Sequence, residues 1–192
     1  MGTRSGYFMG RHYNLRDANS NMSAVNTWYD PLVYIKEVIL SYAETMYENG
    51  LFTQQVADEQ RNKWHKRACV ADMKISEIGT DFDPQRDMTV DPVLWEIRRE
   101  RMVELMGEGF GFYDVRRWAK APYFINRQEK GMWWSMDDPL YTANTNGILN
   151  TKTGLKDETL REGYIYVQPS PKVEGKGWID KYYLYCVPTE QL

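Results

Sequence analysis

Three glutamates recur at four-residue intervals near the middle of this 192-residue chain, at Glu100, Glu104 and Glu108. On a helix, residues four apart have Cβ atoms about 5–6 Å from each other. That spacing is close to the carboxylate separation of a retaining glycosidase, in which one carboxyl group protonates the leaving group and the other attacks the sugar. Glycoside hydrolysis by Glu100 and Glu104 is therefore one hypothesis for this chain.

Arginines next to these glutamates favour a structural role instead. Arg98, Arg99 and Arg101 lie directly on either side of Glu100. A nearby positive charge favours the ionised carboxylate over the protonated acid that a glycosidase requires. We therefore predict a network of ion pairs that ties two successive helices together. Its predicted members are Arg101, Glu104, Asp114 and Arg117.

Glycines occupy alternate positions around the last of these glutamates, at Gly107, Gly109 and Gly111. A phosphate-binding glycine loop follows a strand and opens a helix. Here the glycines follow a predicted helix, so we interpret them as a sharp turn between two helices. The pattern predicts no nucleotide cofactor.

Metal and redox chemistry have little support in the sequence. His12 and His65 are far apart in sequence, and no H-E-x-x-H motif occurs. Cys69 and Cys186 are too few for a disulfide framework and lack a C-x-x-C spacing. We predict no metal site and no cofactor, and a single bridge between the two cysteines is left open.

Aromatic residues make up 14% of the chain and include seven tryptophans. Trp64, Trp95 and Trp118 lie in predicted helical segments, and we predict that they are structural because a buried indole contributes a large apolar area. Trp133 and Trp134 are adjacent in a glycine-bearing segment. Neighbouring side chains of an extended segment point to opposite faces, so one of this pair is expected to be exposed.

An exposed indole face can stack on a sugar ring, and hydrogen-bonding side chains that suit sugar hydroxyls lie near the tryptophan pair. The candidate ligand-binding residues are Trp133, Trp134, Asn126, Asp137 and Asn144. Packing of the same segment against the helices is the competing interpretation.

Composition narrows the class of protein. The chain is 42% hydrophobic and 27% charged with a net charge of −3, which is ordinary for a globular protein and gives no electrostatic reason to expect nucleic acid. The longest nearly uncharged apolar run, residues 38–43, is far shorter than the roughly 20 residues that span a bilayer. Residues 1–6 have no apolar core, so no signal peptide is expected within this chain.

Start and stop signals mark a first predicted helix. Asp30-Pro31 supplies an N-cap followed by proline at the first helical position, and Asn49-Gly50 supplies a left-handed stop. Apolar residues recur between them at three- and four-residue spacing, which predicts one buried stripe. The predicted stripe consists of Ile35, Val38, Ile39, Tyr42 and Met46.

A second helix is predicted after the first, and a second pair of helices is predicted after a loop. Thr53 is expected to cap a helix that runs to about Val70, and residues 76–90 have the composition of a loop. Asp91-Pro92 then repeats the start signal of the first helix. The predicted inner side of that helix consists of Leu94, Ile97, Arg101, Leu105 and Glu108.

The rest of the chain is punctuated by proline and glycine, which predicts long irregular loops rich in aromatic residues. Residues 164–167 and 182–185 have strand propensity and predict a small two-stranded ribbon near the C terminus. We predict a single domain over residues 1–192, with a helical scaffold over about 30–118 and an irregular segment over about 119–192.

The predicted fold class is mainly α. A Tyr47-x-x-Gly50-x-Phe52 pattern between the first two helices is similar to a tetratricopeptide turn. We therefore predict tetratricopeptide-like antiparallel helix pairs, with long aromatic-rich loops and a small C-terminal β ribbon.

Residues 100–118 resemble the C-terminal signature of the SusD/RagB family, which reads E-R-x-x-E-L-x-x-E-G followed by D-x-x-R-W. The matching residues are Glu100, Arg101, Glu104, Leu105, Glu108, Gly109, Asp114, Arg117 and Trp118. Gly111 departs from the pattern, because the family usually has arginine there.

Other segments carry the same resemblance in the same order. Residues 34–50 are similar to a family helix that commonly reads Y-I-R-x-A-E-V-L-L-x-Y-A-E-A, and residues 62–68 to the segment after it, with His65 in place of an arginine. Residues 183–191 are similar to the near-terminal L-Y-P-I-P-x-x-E, with Cys186 in place of a proline.

The resemblance implies a non-catalytic protein that captures a nutrient, such as an oligosaccharide, for a SusC-like TonB-dependent transporter. It also implies polysaccharide utilisation in Bacteroidetes and a lipoprotein at the surface of the outer membrane. Family members are longer, so this chain is expected to be a C-terminal portion whose signal peptide and lipidated cysteine lie upstream. The signature residues are implied to be scaffold. A helical-repeat module that binds another protein is the alternative.

Overall fold

The computed structural model describes Ser5, Tyr7 and residues 32–137, 146–169 and 177–184, apart from the side chains of Trp64 and Arg67. The chain divides into two compact units. The helical unit is His12–Gly111, and the ribbon unit combines Met1–Arg11 with Phe112–Leu192. The prediction of a single domain stays a prediction.

The first helix, α1, spans Ile35–Glu48 and ends as predicted. Gly50 has φ +68°, its N–H donates to the Tyr47 carbonyl, and the Leu51 N–H donates to the Met46 carbonyl. This pair of bonds is a Schellman stop, in which glycine takes the left-handed conformation. The predicted start was wrong, because residues 32–34 are not helical. The proposed cap, Asp30-Pro31, lies outside the described residues.

The predicted buried stripe of α1 was also wrong. Ile35, Val38 and Tyr42 are 64%, 53% and 45% exposed. Leu40, Ala43 and Glu44 are the buried residues of this helix. The helix therefore turns a different face toward its neighbours α2 and α4, and one apolar face stays in solvent.

The second predicted helix is divided into α2, Gln54–Gln60, and α3, Asn62–Ala68. The Thr53 hydroxyl accepts from the Val56 N–H, as its predicted role as a cap requires. The division falls at Arg61, which is fully buried. The next residue, Asn62, exchanges hydrogen bonds with the Met73 backbone, so the chain turns inward here toward the loop that follows.

The predicted loop contains one short 3₁₀ helix, Ile75–Glu77, and is held by a buried arginine. The Arg86 guanidinium donates to the carbonyls of Thr80 and Val90 at 3.1 and 2.9 Å. This pairing satisfies backbone carbonyls that have no helical or strand partner.

The helix α4 spans Pro92–Glu104, and the Asp91 side chain accepts from the Val93 and Leu94 N–H groups. Both features confirm the predicted start. Of the predicted inner side, Ile97, Arg101 and Leu105 are buried, together with Trp95. The core of the helical unit contains Ala43, Ala57, Met73 and Ile97.

In the described residues, the ribbon unit contains two short α-helices and two antiparallel ribbons. Helix α5 spans Phe110–Arg117, beginning two residues before the unit boundary, and α6 spans Ala121–Ile125. The first ribbon pairs β1, Trp133–Ser135, with β4, Glu162–Tyr164. The second pairs β2, Ile148–Asn150, with β3, Leu155–Asp157.

The predicted C-terminal ribbon was wrong in its second strand. Asp180–Tyr183 is a 3₁₀ helix, and Leu184 is a bend. The Arg116 guanidinium donates to the carbonyls of Tyr182 and Tyr183, so these groups do not join a strand ladder. Tyr185 lies outside the described residues.

The described part of the chain is therefore helix-rich with a small β region of two ribbons. Ile148, Leu149 and Ile165 form the buried part of the ribbons, and a bridge between Ile148 and Ile165 joins one ribbon to the other. None of the described helices is both long enough and apolar enough to cross a membrane.

Candidate functional site

The first ribbon presents one face to solvent, which we name the stacking face and which consists of Trp133, Ser135, Glu162 and Tyr164. Trp133 is directly opposite Tyr164, and Ser135 is directly opposite Glu162. Alternate residues of a strand share a face, so these four side chains project from the same side of the ribbon. Trp134 and Gly163 occupy the other side.

The other side of the ribbon packs on the buried core. A Cβ atom added to Gly163 would lie 2.8 Å from Ile148 Cγ2, so there is no room for a side chain at this position. The indole nitrogen of Trp134, opposite Gly163, is buried. Because the ribbon packs through Trp134 and Gly163, the stacking face points away from the core. This agrees with the prediction that one tryptophan of the pair is exposed.

Trp133 is the largest side chain of the stacking face and is 56% exposed. Its ring meets the Tyr164 ring edge to face, with centroids 5.1 Å apart and planes at 87°. The Lys130 ammonium lies 4.9 Å from the Tyr164 centroid. The edge-to-face contact fixes the orientation of the Trp133 ring while leaving much of its surface open.

The other predicted ligand-binding residues do not all join this face. Asn126 has a structural contact, since its Oδ1 accepts from the Trp178 N–H at 2.6 Å. Asp137 is exposed and pairs with Arg161 at 2.8 Å, just beyond the end of the first ribbon. Asn144 lies outside the described residues.

Glu100, the first signature residue, lies in a buried cluster of charged side chains. It is 6% exposed and forms an ion pair with the fully buried Arg61. Its Oε1 lies 3.1 Å from His65 Nε2. Arg61 also contacts the Met73 sulfur and donates to the Glu96 carbonyl. This cluster was not predicted from the sequence. The only local signal was the i, i+4 spacing of Arg61 and His65, which places both on one side of a helix.

Burial governs the ionisation of the two bases in this cluster. It lowers the pKa of Arg61 to about 10, which leaves the guanidinium charged at neutral pH. Burial and then the Arg61 charge lower the pKa of His65, although Glu100 is close to it. The Glu100 charge is already compensated by Arg61, so the histidine is neutral near pH 7.

Further signature residues bind α4 to α1. Arg101 donates to the Ser41 hydroxyl at 3.1 Å. Lys36 donates to the Glu104 carbonyl at 3.2 Å and to the Glu108 carboxylate at 3.4 Å. Arg101 and Glu104 thus join α4 to α1, and Glu108 joins the turn after α4 to the same helix, while the scaffold role of the signature stays a prediction.

The end of the signature combines turn and packing residues. Gly109 has φ +83°, the left-handed geometry that a glycine turn requires. Asp114 is buried and pairs with Arg117 at 3.0 Å, and Trp118 is buried. The predicted network from Arg101 to Arg117 between successive helices stays a prediction.

A cavity of about 280 Å³ opens in the helical unit beside the buried cluster. Most of the charged side chains that line it pair with each other. Arg99 donates two hydrogen bonds to the Glu96 carboxylate, and Lys74 forms an ion pair with Glu77. Within the described residues no group of three or more His, Cys, Asp or Glu side chains could hold a metal ion. Cys69 is a free, exposed thiol, and Cys186 lies outside the described residues.

The exposed, oriented indole of Trp133 beside Ser135 and Glu162 is therefore the candidate ligand-binding surface of the described residues. A profile of the SusD family matches residues 2–191, which is nearly the whole chain. The chain therefore belongs to the SusD family. No curated protein and no solved structure matched it.

Proposed function

We propose that this chain is a non-catalytic, nutrient-binding component of an outer-membrane uptake system, and that it binds a glycan on the stacking face. Membership of the SusD family supports nutrient binding. The observation that supports the site is the open face of Trp133, whose ring is held edge to face by Tyr164. Sugar rings stack on aromatic faces through their C–H surfaces, and Ser135 and Glu162 offer hydrogen bonds to the hydroxyl groups.

Calorimetric titration of the chain with a panel of neutral and acidic oligosaccharides tests this proposal. We expect one class to bind, and we expect Trp133→Ala to weaken that binding about tenfold because one stacked ring contributes roughly 1.4 kcal/mol. Tyr113→Ala is the matched control, since Tyr113 is also an exposed aromatic residue of the ribbon unit but lies outside the face. Equal affinity of Trp133→Ala and the parent chain would remove the site.

The same proposal extends to a partner and a location. A SusC-like TonB-dependent transporter is the expected partner, and a lipid-anchored position on the outer membrane is the expected location, both on the basis of family membership. We expect this protein, expressed in its native cell, to co-purify with the transporter from detergent-solubilised outer membranes. Its recovery only in the soluble fraction would contradict this part of the proposal.

Protein binding is a second candidate function, supported by a different surface. Ile35, Val38 and Tyr42 form an exposed apolar row on α1, and exposed apolar surface is a common feature of protein interfaces. A helical-repeat interaction module would use this row. Loss of partner binding in Val38→Asp with retention in Trp133→Ala would favour it over glycan binding.

Hydrolysis by Glu100 and Glu104 is not supported by the geometry. Glu100 is buried and ion-paired with Arg61, which stabilises the ionised carboxylate. We therefore expect no release of reducing sugar by the purified chain. Release that disappears in Glu104→Gln would restore the hydrolase hypothesis.

A further inference from the structure

The two ends of the stacking face carry opposite charges. Lys130 lies at the Trp133 and Tyr164 end, where its ammonium faces the Tyr164 ring. Glu162 lies two residues from Tyr164 along β4, which is about 7 Å in an extended strand. A ligand that stacks on Trp133 therefore meets an ammonium group at one end and a carboxylate at the other.

Lys130 is exposed and forms no ion pair with any described residue; its contact is with the Tyr164 ring. Arg161, a second cationic residue near the ribbon, already forms an ion pair with Asp137 at 2.8 Å. An ammonium group above an aromatic ring is attracted by the ring without a conventional hydrogen bond, so its three N–H groups can still donate to a ligand. Lys130 is therefore the positive group available to a ligand at this face.

We infer that the stacking face binds an acidic glycan, with the carboxylate of a uronic acid residue on Lys130 and the pyranose ring on Trp133. This inference rests on the proposed function and names its ligand class. Charge-assisted hydrogen bonds between ammonium and carboxylate groups are stronger than those between neutral groups. The net charge of the chain is −3, so selection of an anionic ligand depends on this local ammonium and not on the overall charge.

Glu162 limits where the negative charge of the ligand can lie. A second uronate at the Ser135 and Glu162 end would face a like charge, whereas hydroxyl groups of a neutral sugar can donate to this carboxylate. The face thus suits a glycan in which a uronic acid residue is next to a neutral residue. It does not suit a uniformly charged polyanion along its whole length.

A matched pair of ligands tests the inference on the full chain. The probes are aldobiuronic and aldotriuronic oligosaccharides, each with one uronic acid residue, and the methyl esters of the same compounds, which keep the skeleton and lose the charge. Calorimetric titrations at low and high salt would measure both. We expect the acids to bind about threefold to fivefold more tightly than the esters at low salt, the range for an exposed ion pair, and to lose this advantage at high salt.

Variants assign the preference to one side chain. Lys130→Gln should remove the preference for the acid, so that the acid and its ester bind with equal affinity, and Lys130→Arg should keep the preference. Lys152→Gln, in the exposed turn of the second ribbon, is the matched control. Thermal unfolding of each variant checks that it folds.

The outcomes separate the inference from the proposed function. If esters or neutral oligosaccharides bind at Trp133 with the same affinity as the acids, the inference is overturned and glycan binding stands. The same holds if sulfated sugars bind and carboxylated sugars do not. If no glycan in either form binds, the proposed function is overturned along with the inference.

Discussion

The charged side chains of the helical unit and those of the first ribbon differ in their surroundings. In the helical unit, Arg61 and Glu100 are buried and paired with each other. On the ribbon, Lys130 and Glu162 are exposed and pair with no described residue. The charges of Arg61 and Glu100 compensate each other inside the protein, whereas Lys130 and Glu162 can still form hydrogen bonds with a ligand.

This difference shows why a dense run of charge is a poor guide to a binding site. Residues 100–118 combine closely spaced charges and glycines, a pattern that suggests a functional site. The described contacts of Arg101 and Glu108 instead hold α4 and the turn after it to α1. The stacking face has fewer charges, and its aromatic surface is open. Burial and pairing, and not residue type, separate scaffold from candidate site.

The largest effect is expected from breaking the buried ion pair. Glu100→Gln leaves the Arg61 guanidinium buried without its counter-charge, which should lower the free energy of unfolding by about 3–5 kcal/mol. Urea denaturation followed by circular dichroism measures this change. Glu158→Gln, which removes an exposed carboxylate, should leave the unfolding midpoint unchanged. A Glu100→Gln midpoint equal to that of the parent would show that the cluster does not stabilise the scaffold.

The next effect concerns the packing of the ribbon. Gly163→Ala would place a Cβ atom 2.8 Å from Ile148 Cγ2 at a residue with φ +146°, so we expect a loss of about 1–3 kcal/mol in stability. Gly79→Ala is the control, since a Cβ atom there meets nothing within 4 Å. Equal unfolding midpoints for the two variants would mean that the ribbon does not pack through Gly163.

A smaller effect is expected from acidification. Burial lowers the pKa of His65 in the folded state below its ordinary value of 6.5. The resulting stability is fully present above about pH 6.5 and is lost as the pH falls through the folded-state pKa, because the unfolded chain then binds the proton more readily. Thermal unfolding between pH 5 and pH 8 should show this loss, and His65→Gln should reduce it. An identical pH profile in the variant would assign the loss to other groups.

The smallest effect is expected on the stacking face itself. Glu162→Gln keeps an oxygen that can accept from the hydroxyl groups of the neutral residue but removes a negative charge about 7 Å along β4 from Tyr164, near the uronate on Lys130. Binding of a uronic oligosaccharide should therefore tighten about twofold, near the lower end for exposed charge interactions. Calorimetric titration at low salt measures it. A decrease in affinity would instead show that the Glu162 carboxylate accepts an essential hydrogen bond from the sugar.

Local signals in the sequence predicted several helix ends correctly, although not the start of α1. Asp91-Pro92 and Asn49-Gly50 mark the start of α4 and the end of α1, because capping depends only on side chains and dihedral angles within a few residues. The exposure of one tryptophan of the adjacent pair followed from strand alternation alone. The family resemblance was also confirmed by the family profile.

Features that depend on distant residues were missed. The buried face of α1 is set by the elements that pack on it, and its apolar periodicity did not reveal that Val38 and Tyr42 face solvent. The pairing of β1 with β4 joins segments far apart in sequence, so strand propensity near the C terminus could not identify the partner. Arg61 lies outside the signature, and only tertiary folding brings it to Glu100.

The central claim is that Trp133 is the surface on which a nutrient glycan binds. Its most direct test is a titration of the ¹⁵N-labelled chain with the tightest-binding oligosaccharide, observing the indole N–H resonances and assigning that of Trp133 from its absence in Trp133→Phe. The account predicts that the Trp133 signal shifts in proportion to occupancy while those of the buried Trp95 and Trp118 do not. A bound glycan that leaves the Trp133 signal unchanged would contradict it.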